Sequence, residues 1–322
     1  MARGHQVSLF RRGLSSPGLF PEAEHLTGDR TGSLAALEGR RWDVVFDPSG
    51  YQPAHVRAAA RAVSGPDVHY VFVSSISVYA DFSRPNRETS AVHALVGGEE
   101  TEALDLDAYG RLKVACERAV EEVLPGRVQI VRAGLIVGPH DYDRRFAWWL
   151  RRLARGGDVV APGRPDAPVQ LVDARDLAAW MVSCAEQRIA GAFNATGPAE
   201  PHRLDALLAT LAEAVGAAPR FVWVPDELLL AEKVAPVSDM PFWVPARFTP
   251  LFQTDVSRAL ATGLAFRPLA ETAADTWRWL ADGWAREEPV RVHRTLHVPA
   301  GISAEVEARL LSAERRPGSR PA

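Results

Sequence analysis

Short apolar runs alternate with helix-period stretches over roughly the first 137 residues. The runs Gln6 to Phe10, Asp43 to Asp47, His69 to Ser74 and Val128 to Arg132 are rich in β-branched and aromatic residues and read as strands. Between them the apolar positions recur at helical spacing, from Ala54 to Val63 and from Ala108 to Leu124, where Pro125-Gly126 stops the second helix; an Ala/Leu-rich stretch lies near Ser33 to Leu37. Strands that alternate with helices predict an α/β fold, in which parallel strands are joined by crossover helices. Beyond Phe146 the pattern changes to an Arg/Trp-rich helix ending near Ala154, a strand at Val169 to Val172, a helix from Ala174 to Glu186 and a strand at Gly191 to Ala195. Helices near Leu204 to Val215 and Leu269 to Trp284 follow. The Pro-rich segment Val234 to Pro250 suits ordered loops around a pocket and suits a plain connector equally.

Composition narrows the function. The chain has 322 residues, 47% of them hydrophobic and 24% charged, which is enough to bury a large core in one or two closely packed domains. Its formal net charge of −3 comes with basic residues scattered along the chain, so neither nucleic acid nor an anionic membrane is an expected partner. Small-molecule chemistry is the expectation. The two cysteines, Cys116 and Cys184, each fall inside an amphipathic helical pattern, which argues against a disulfide framework or a metal cluster. Met1 through Phe10 carry no apolar run of signal-peptide length and no stretch approaches a membrane span, so a soluble, cytoplasmic protein is expected.

Chemistry concentrates at Tyr109-Gly110-Arg111-Leu112-Lys113, where a helix opens whose apolar face includes Leu112, Ala115, Ala119, Val120 and Val123. A spacing of four puts the phenol and the ammonium on one face. A tyrosine hydroxyl ordinarily titrates near ~10, and a nearby cation favours the phenolate and lowers that value. Such a tyrosine can exchange a proton with a substrate hydroxyl, although Tyr-x-x-x-Lys by itself also fits an ordinary helix surface. Upstream, the strand His69-Tyr70-Val71-Phe72-Val73 runs into Ser74-Ser75-Ile76-Ser77-Val78-Tyr79. A buried strand ending in Ser-Ser, then Val-Tyr, then Tyr-x-x-x-Lys opening a helix, resembles the extended short-chain dehydrogenase/reductases, specifically the NAD(P)-dependent epimerase/dehydratase family. The resemblance implies a Rossmann-like doubly wound parallel sheet and a catalytic set of Ser75, Tyr109 and Lys113. Ser75 would hold the substrate oxygen while Tyr109 moves the proton and the nicotinamide moves the hydride. Without the resemblance, Ser74 and Ser75 would simply satisfy backbone groups at a strand end.

The resemblance extends over most of the chain. Val131 to Pro139 is similar to the family's segment that passes the nicotinamide, which implies cofactor contacts for Ala133 and Gly134. Val169 to Ala178 and Phe193 to Gly197 match later strand segments, with Asp173 and Asp176 also readable as helix caps. Gly28-Asp29-Arg30 resembles the segment whose acid meets the adenine, although Asp29 fits a surface turn as well. Asp47-Pro48-Ser49-Gly50 falls where the family's fourth strand borders the dinucleotide, and Ser74 joins the cofactor set on the same grounds, as do Tyr109 and Lys113. Arg11 and Arg12 stand where NAD-preferring members carry an acid; arginine suits a 2′-phosphate, so NADP(H) is preferred over NAD(H), and a solvated arginine turn is the plainer alternative.

One family element has no counterpart: the first strand with its Gly-x-x-Gly-x-x-Gly turn. Met1-Ala2-Arg3-Gly4-His5 resembles the end of the helix that follows that turn, with Gly4 as its left-handed cap. The expectation is a sheet lacking its central strand, through a recorded start that lies inside a longer natural protein or through closure of the sheet without it. The resemblance thus divides the chain into a dinucleotide-binding region over 1–145, a mostly substrate-binding region over 146–285 and an extension over 286–322 whose end, Arg315 to Ser319, is expected to be disordered. It implies an oxidoreductase, epimerase or dehydratase acting on a hydroxyl or carbonyl of a small polar, sugar-like substrate. The alternatives are a non-catalytic regulatory or RNA-binding relative and an inactive truncated product. Trp148, Trp149, His140, Asp141, Arg145 and Arg164 fall where relatives place substrate loops, and dimers through the catalytic helices are common in the family.

Overall fold

The computed structural model describes residues 3–14, 18–95, 106–141, 144–281 and 301–314. The chain forms two compact units: Met1–Val78, His93–Val131 and Cys184–Ala192 make one, and Tyr79–Val92, Arg132–Ser183 and Phe193–Ala322 the other.

The first unit begins with strands β1 (Ser8–Arg11), β2 (Glu24–Thr27) and β3 (Val44–Asp47), then helix α1 (Pro53–Ala62), strand β4 (His69–Ser75), helix α2 (Leu106–Val123) and strand β5 (Val128–Ala133). All of its registered pairings are parallel, with Ser8 opposite Glu24 on β1 and β2, and Val44 opposite His69 on β3 and β4. α1 starts with Pro53 at its first turn, where a missing N–H costs nothing, and turns Val56 and Ala60 inward. On β4 the two-residue period sends Tyr70 and Phe72 into the same core, which Val120 and Leu124 from α2 and Val128 and Ile130 from β5 complete. This is the helix-on-parallel-sheet layering that the sequence pattern predicts.

The sheet comes in two parts. One has the order β2-β1; the other has the order β10-β5-β4-β3, where β10 is Gly191–Ala195. A doubly wound sheet has the order 3-2-1-4-5-6. β2 and β1 fill its first two places and β3, β4 and β5 those beyond the centre, so the break lies at the place of the central strand, as expected. Across the break, Arg30 after β2 grips Asp47 at the end of β3 through two bonds, Nη1 to Oδ1 at 2.7 Å and Nη2 to Oδ2 at 2.9 Å. Gly4 has φ +84, the left-handed value expected of it.

In the second unit, β6 (Leu135–Val137), α3 (Arg145–Ala154), β7 (Asp158–Pro162), β8 (Pro168–Val169), β9 (Leu171–Asp173) and α4 (Ala174–Glu186) precede β10. After it come β11 (His202–Arg203), α5 (Leu204–Ala214), β12 (Arg220–Val224), α6 (Asp226–Ala231), α7 (Ser257–Ala261), α8 (Leu269–Trp279) and α9 (Ala304–Glu314). β6 pairs with β9 and β7 with β12, both in parallel, while β8 and β11 run antiparallel. The core here packs Phe146, Trp149, Leu150 and Leu153 of α3 against Leu204, Leu208 and Leu211 of α5 and Leu310 of α9.

Several elements differ from the sequence expectation. β2 reads Glu-His-Leu-Thr with only Leu26 buried, so pairing with β1, and no hydrophobic alternation, makes it a strand. The single strand expected at Val169 to Val172 is split at Gln170, whose side chain turns inward to donate to Pro198 O and Thr254 O and to accept from Thr254 N. Asp173 caps the start of α4 by accepting from Arg175 N, whereas Asp176 binds Arg267. The expected helix to Trp284 is seen to Trp279; positions 282–300 and the tail Arg315 to Ser319 lie outside the described residues, as do Met1 and Ala2.

The expected extension holds α9, clamped by a buried ion pair. Arg152 Nε donates to both oxygens of Glu307, at 2.8 and 2.6 Å, and the guanidinium also reaches the carbonyls of Gly156 and Asp158. Removing one partner strands the other charge away from water. Arg152→Ala should therefore lower unfolding free energy by about 3–5 kcal/mol in urea denaturation.

Candidate active site

The C-terminal end of β4 and the first turns of α2 carry the expected catalytic residues. Ser75 is the last residue of β4 and 9% exposed; its Oγ accepts from Ser77 N at 3.1 Å and donates to Ser77 Oγ at 3.1 Å. The hydroxyl thus secures the turn that follows the strand, as serines at strand ends do. Ser74, on the opposite side of the strand, donates to Glu117 Oε1 at 2.5 Å, both residues being buried.

Tyr109, half-buried, and Lys113, buried, lie one helical turn apart within α2, on one face. Gly110 explains how the helix reaches the strand end: a β-carbon there would overlap the carbonyl oxygen of Ser77 and press on the His93 ring at 2.9 Å. Only glycine permits this approach, which sets Tyr109 beside the turn that Ser75 secures. Burial lowers the pKa of His93.

Lys113 is a tightly held, buried charge. Its ammonium donates to Gly50 O at 2.8 Å and Val73 O at 2.7 Å and sits over the rings of Phe72 and Tyr51, 4.6 and 5.4 Å from their centroids. Burial pulls its pKa down to about 8, against the opposing pull of Cys116, Asp47 and Glu117. The Cys116 thiol, also buried, is pushed up to about 12. Of the 37 Lys and Arg residues only two are lysine, Lys113 and Lys233, so this position holds a compact ammonium in a chain that otherwise uses arginine. Arginine's planar fork and permanent charge would serve neither the two carbonyls nor a titratable role.

The other expected site residues fall into two groups. Arg30, Asp47, Ser49 and Lys113 come together: Asp47 accepts from Arg30, from Tyr70 OH at 2.9 Å and from Ser49 N at 3.2 Å, and the same loop supplies Gly50 O to Lys113. Asp47 is held below the usual carboxylate range by Arg30, Tyr70 and the Ser49 amide, against its burial. Pro48 is exposed between them. Asp29 closes its own turn, accepting from Thr31 N and Oγ1, and the Thr31 amide leads the interactions that lower its pKa. Arg11 ends β1 with its carbonyl bonded to Gly28 N, and Arg12 is exposed. Ala133 and Gly134 belong to the second unit, where Gly134 packs so closely on Thr196 that a β-carbon would overlap its side chain. There Trp149 is core, its indole donating to Pro241 O at 2.9 Å, His140 packs on Trp279, and Arg164 is exposed beside Asp166.

Sequence reading placed Gly50 only in the segment bordering the dinucleotide, and missed Tyr51 and Glu117. Only Glu117 left a signal, four residues beyond Lys113 on the same face; a backbone carbonyl carries none. For a nicotinamide cofactor the fit is uneven. The ribose end suits Lys113 and Tyr109, and Arg11 and Arg12 offer cations at the end of β1, but both Asp47 oxygens are already engaged by Arg30, Tyr70 and the Ser49 amide. Among the described residues, no group of three or more His, Cys, Asp or Glu side chains could hold a metal ion, and no helix is long and apolar enough to cross a membrane.

Residues 53–195 match the model of the NAD dependent epimerase/dehydratase family. No curated protein matches the sequence. Among solved structures, a UDP-glucuronic acid 4-epimerase from Bacillus cereus in complex with NAD aligns at TM-score 0.60 and 15% identity over 88% of this chain and 92% of its own. The Bordetella bronchiseptica enzyme WbmH in complex with NAD+ aligns at 0.62 and 16%, over 87% and 92%. The human epimerase family protein SDR39U1 (isoform 2) with NADPH aligns at 0.57 and 19%, over 86% and 92%. At such low identity these likenesses speak for the fold alone, a Rossmann-like α/β architecture. The segment that matches the NAD dependent epimerase/dehydratase family model contains Ser75, Tyr109 and Lys113.

Proposed function

We propose that the chain is an NADP(H)-preferring oxidoreductase, epimerase or dehydratase acting on a hydroxyl or carbonyl of a small, sugar-like substrate. The observation that carries this reading is the shared face of Tyr109 and Lys113, set against the end of β4 with the Lys113 ammonium anchored to Gly50 O and Val73 O. A bound nicotinamide would supply the hydride donor or acceptor. Tyr109 exchanges a proton with the substrate hydroxyl, and the Lys113 charge favours its phenolate. Ser75, with its hydroxyl at the strand end, steadies the substrate oxygen. Sugar-nucleotide chemistry is supported by the named activity of the Bacillus cereus neighbour. The preference for NADP(H) rests on Arg11 and Arg12, cations suited to a 2′-phosphate.

Tyr109→Phe should cut turnover by about 10²–10⁴-fold while leaving the Kd for NADPH unchanged, measured by steady-state assay and fluorescence titration. Loss of binding together with turnover would count against a purely chemical role. Because Lys113 acts as a cation, its contribution is complete at low pH and lost as pH rises through its pKa. The kcat/KM profile should therefore fall above about 8. A flat profile to pH 10 would contradict the role of Lys113. Replacing Arg11 and Arg12 together by serine should weaken NADPH binding by about tenfold or more, the scale of a lost charged hydrogen bond, and leave NADH binding nearly unchanged in parallel titrations.

A further inference from the structure

Three segments of the first unit meet at Gly110: the turn after β4, the first turns of α2, and the segment before α2 that carries His93. A β-carbon on Gly110 would overlap Ser77 O and would lie 2.9 Å from both Cδ2 and Nε2 of the half-buried His93 ring, so carbonyl and imidazole converge on one spot beside Tyr109. The His93 amide donates to Val78 O at 2.8 Å, and its ring hydrogen-bonds the Ser77 backbone. One residue thus engages two successive peptide groups of the turn, two and three residues past Ser75. From the other side, Ser75 Oγ holds the amide and the hydroxyl of Ser77. Ser77 is gripped from within the turn by Ser75 and from outside it by His93.

We infer that His93 is a positioning residue for the Ser75–Tyr109 pair: seated against Gly110 and bonded to the backbone of Ser77 and Val78, it fixes where the turn that carries Ser75 lies against the helix that carries Tyr109. The inference rests on the proposed roles of Ser75 and Tyr109. An imidazole suits the place better than an apolar side chain of similar size, which would fill the space beside Gly110 and offer Ser77 no donor. The role needs no charge, because a neutral imidazole carries one N–H in either tautomer. Burial, together with the Arg111 cation on α2, lowers the ring's pKa against the pull of its Ser77 bond. The consequence for turnover follows from geometry: a displacement of about 1 Å between reacting groups is enough to cost roughly a hundredfold in rate.

Two substitutions separate the ring's hydrogen bond from its bulk. His93→Leu keeps the bulk and the backbone bond to Val78 O and removes the side-chain N–H; His93→Gln restores an N–H at the reach of Nε2. Hydrogen exchange of the full chain without ligand, read by mass spectrometry, should be about tenfold faster over Ser74 to Val78 in the leucine variant and return to near the wild-type rate in the glutamine variant, with α1 unchanged in both. With NADPH and 9,10-phenanthrenequinone as carbonyl probe, the leucine variant should lose about 10- to 100-fold in kcat at nearly unchanged KM and NADPH Kd, and glutamine should recover most of that loss. His93→Phe carries the same prediction as leucine if the latter does not fold. Exchange unmoved by Leu or Phe, or raised equally by Leu and Gln, or raised while kcat stays at the wild-type value, would overturn the inference. Exchange needs neither substrate nor cofactor, so a turn that loosens with leucine and tightens with glutamine in a protein without turnover would sink only the proposed function.

Discussion

A lysine ammonium taken out of water is costly unless its hydrogen bonds are replaced, and the first unit is organised around replacing them for Lys113. Two of its three N–H groups end on the carbonyls of Gly50 and Val73, and its cationic face is covered by aromatic rings. These contacts come from two segments: the loop between β3 and α1, which carries Gly50 and Tyr51, and the strand β4, which carries Phe72 and Val73. The charge can sit there only if all of them are in register with α2. The loop after β3 is in turn fixed by Asp47, which Arg30, Tyr70 and the Ser49 amide hold at the strand end. The ammonium and the sheet that surrounds it specify one another.

The same constraint accounts for the small residue beside the tyrosine. For Lys113 to reach Val73 O, the start of α2 must lie against the turn after β4, and Gly110 removes the β-carbon that would collide with Ser77 O. Ser75 stiffens that turn from within by bonding both the amide and the hydroxyl of Ser77. Tyr109 then stands beside a strand end that has little freedom to move. Preorganisation of this kind is what proton transfer at a fixed oxygen requires.

Elsewhere the chain relies on arginine. Arg152 with Glu307, Arg175 with Asp173 and Asp275, and Arg267 with Asp176 each make short, directed bonds. A planar guanidinium fits a carboxylate with paired bonds that an ammonium cannot match. The roles differ chemically: arginines make fixed ion pairs, while the buried Lys113, its pKa lowered to about 8 by burial, is a cation able to lose its proton.

The alternation of β-rich and helical stretches determined the α/β class and the places of β1, β3, β4, β5, α1 and α2, because burial of one helix face and of a parallel sheet writes a period into the chain. It also determined that Tyr109 and Lys113 share a face, since helical geometry alone guarantees it. The break between β1 and β3 was legible in the same way, from an element without a counterpart. Tertiary structure alone decided β2, a polar tetrapeptide that becomes a strand only by pairing, and the division of Val169 to Val172 by the inward turn of Gln170. It alone decided where Lys113 points, which carbonyls receive it and that Asp47 is consumed by Arg30. Backbone carbonyls are the same in every residue, and an ion pair between positions 30 and 47 leaves no periodicity. Such contacts are fixed by three-dimensional closure and not by any local pattern.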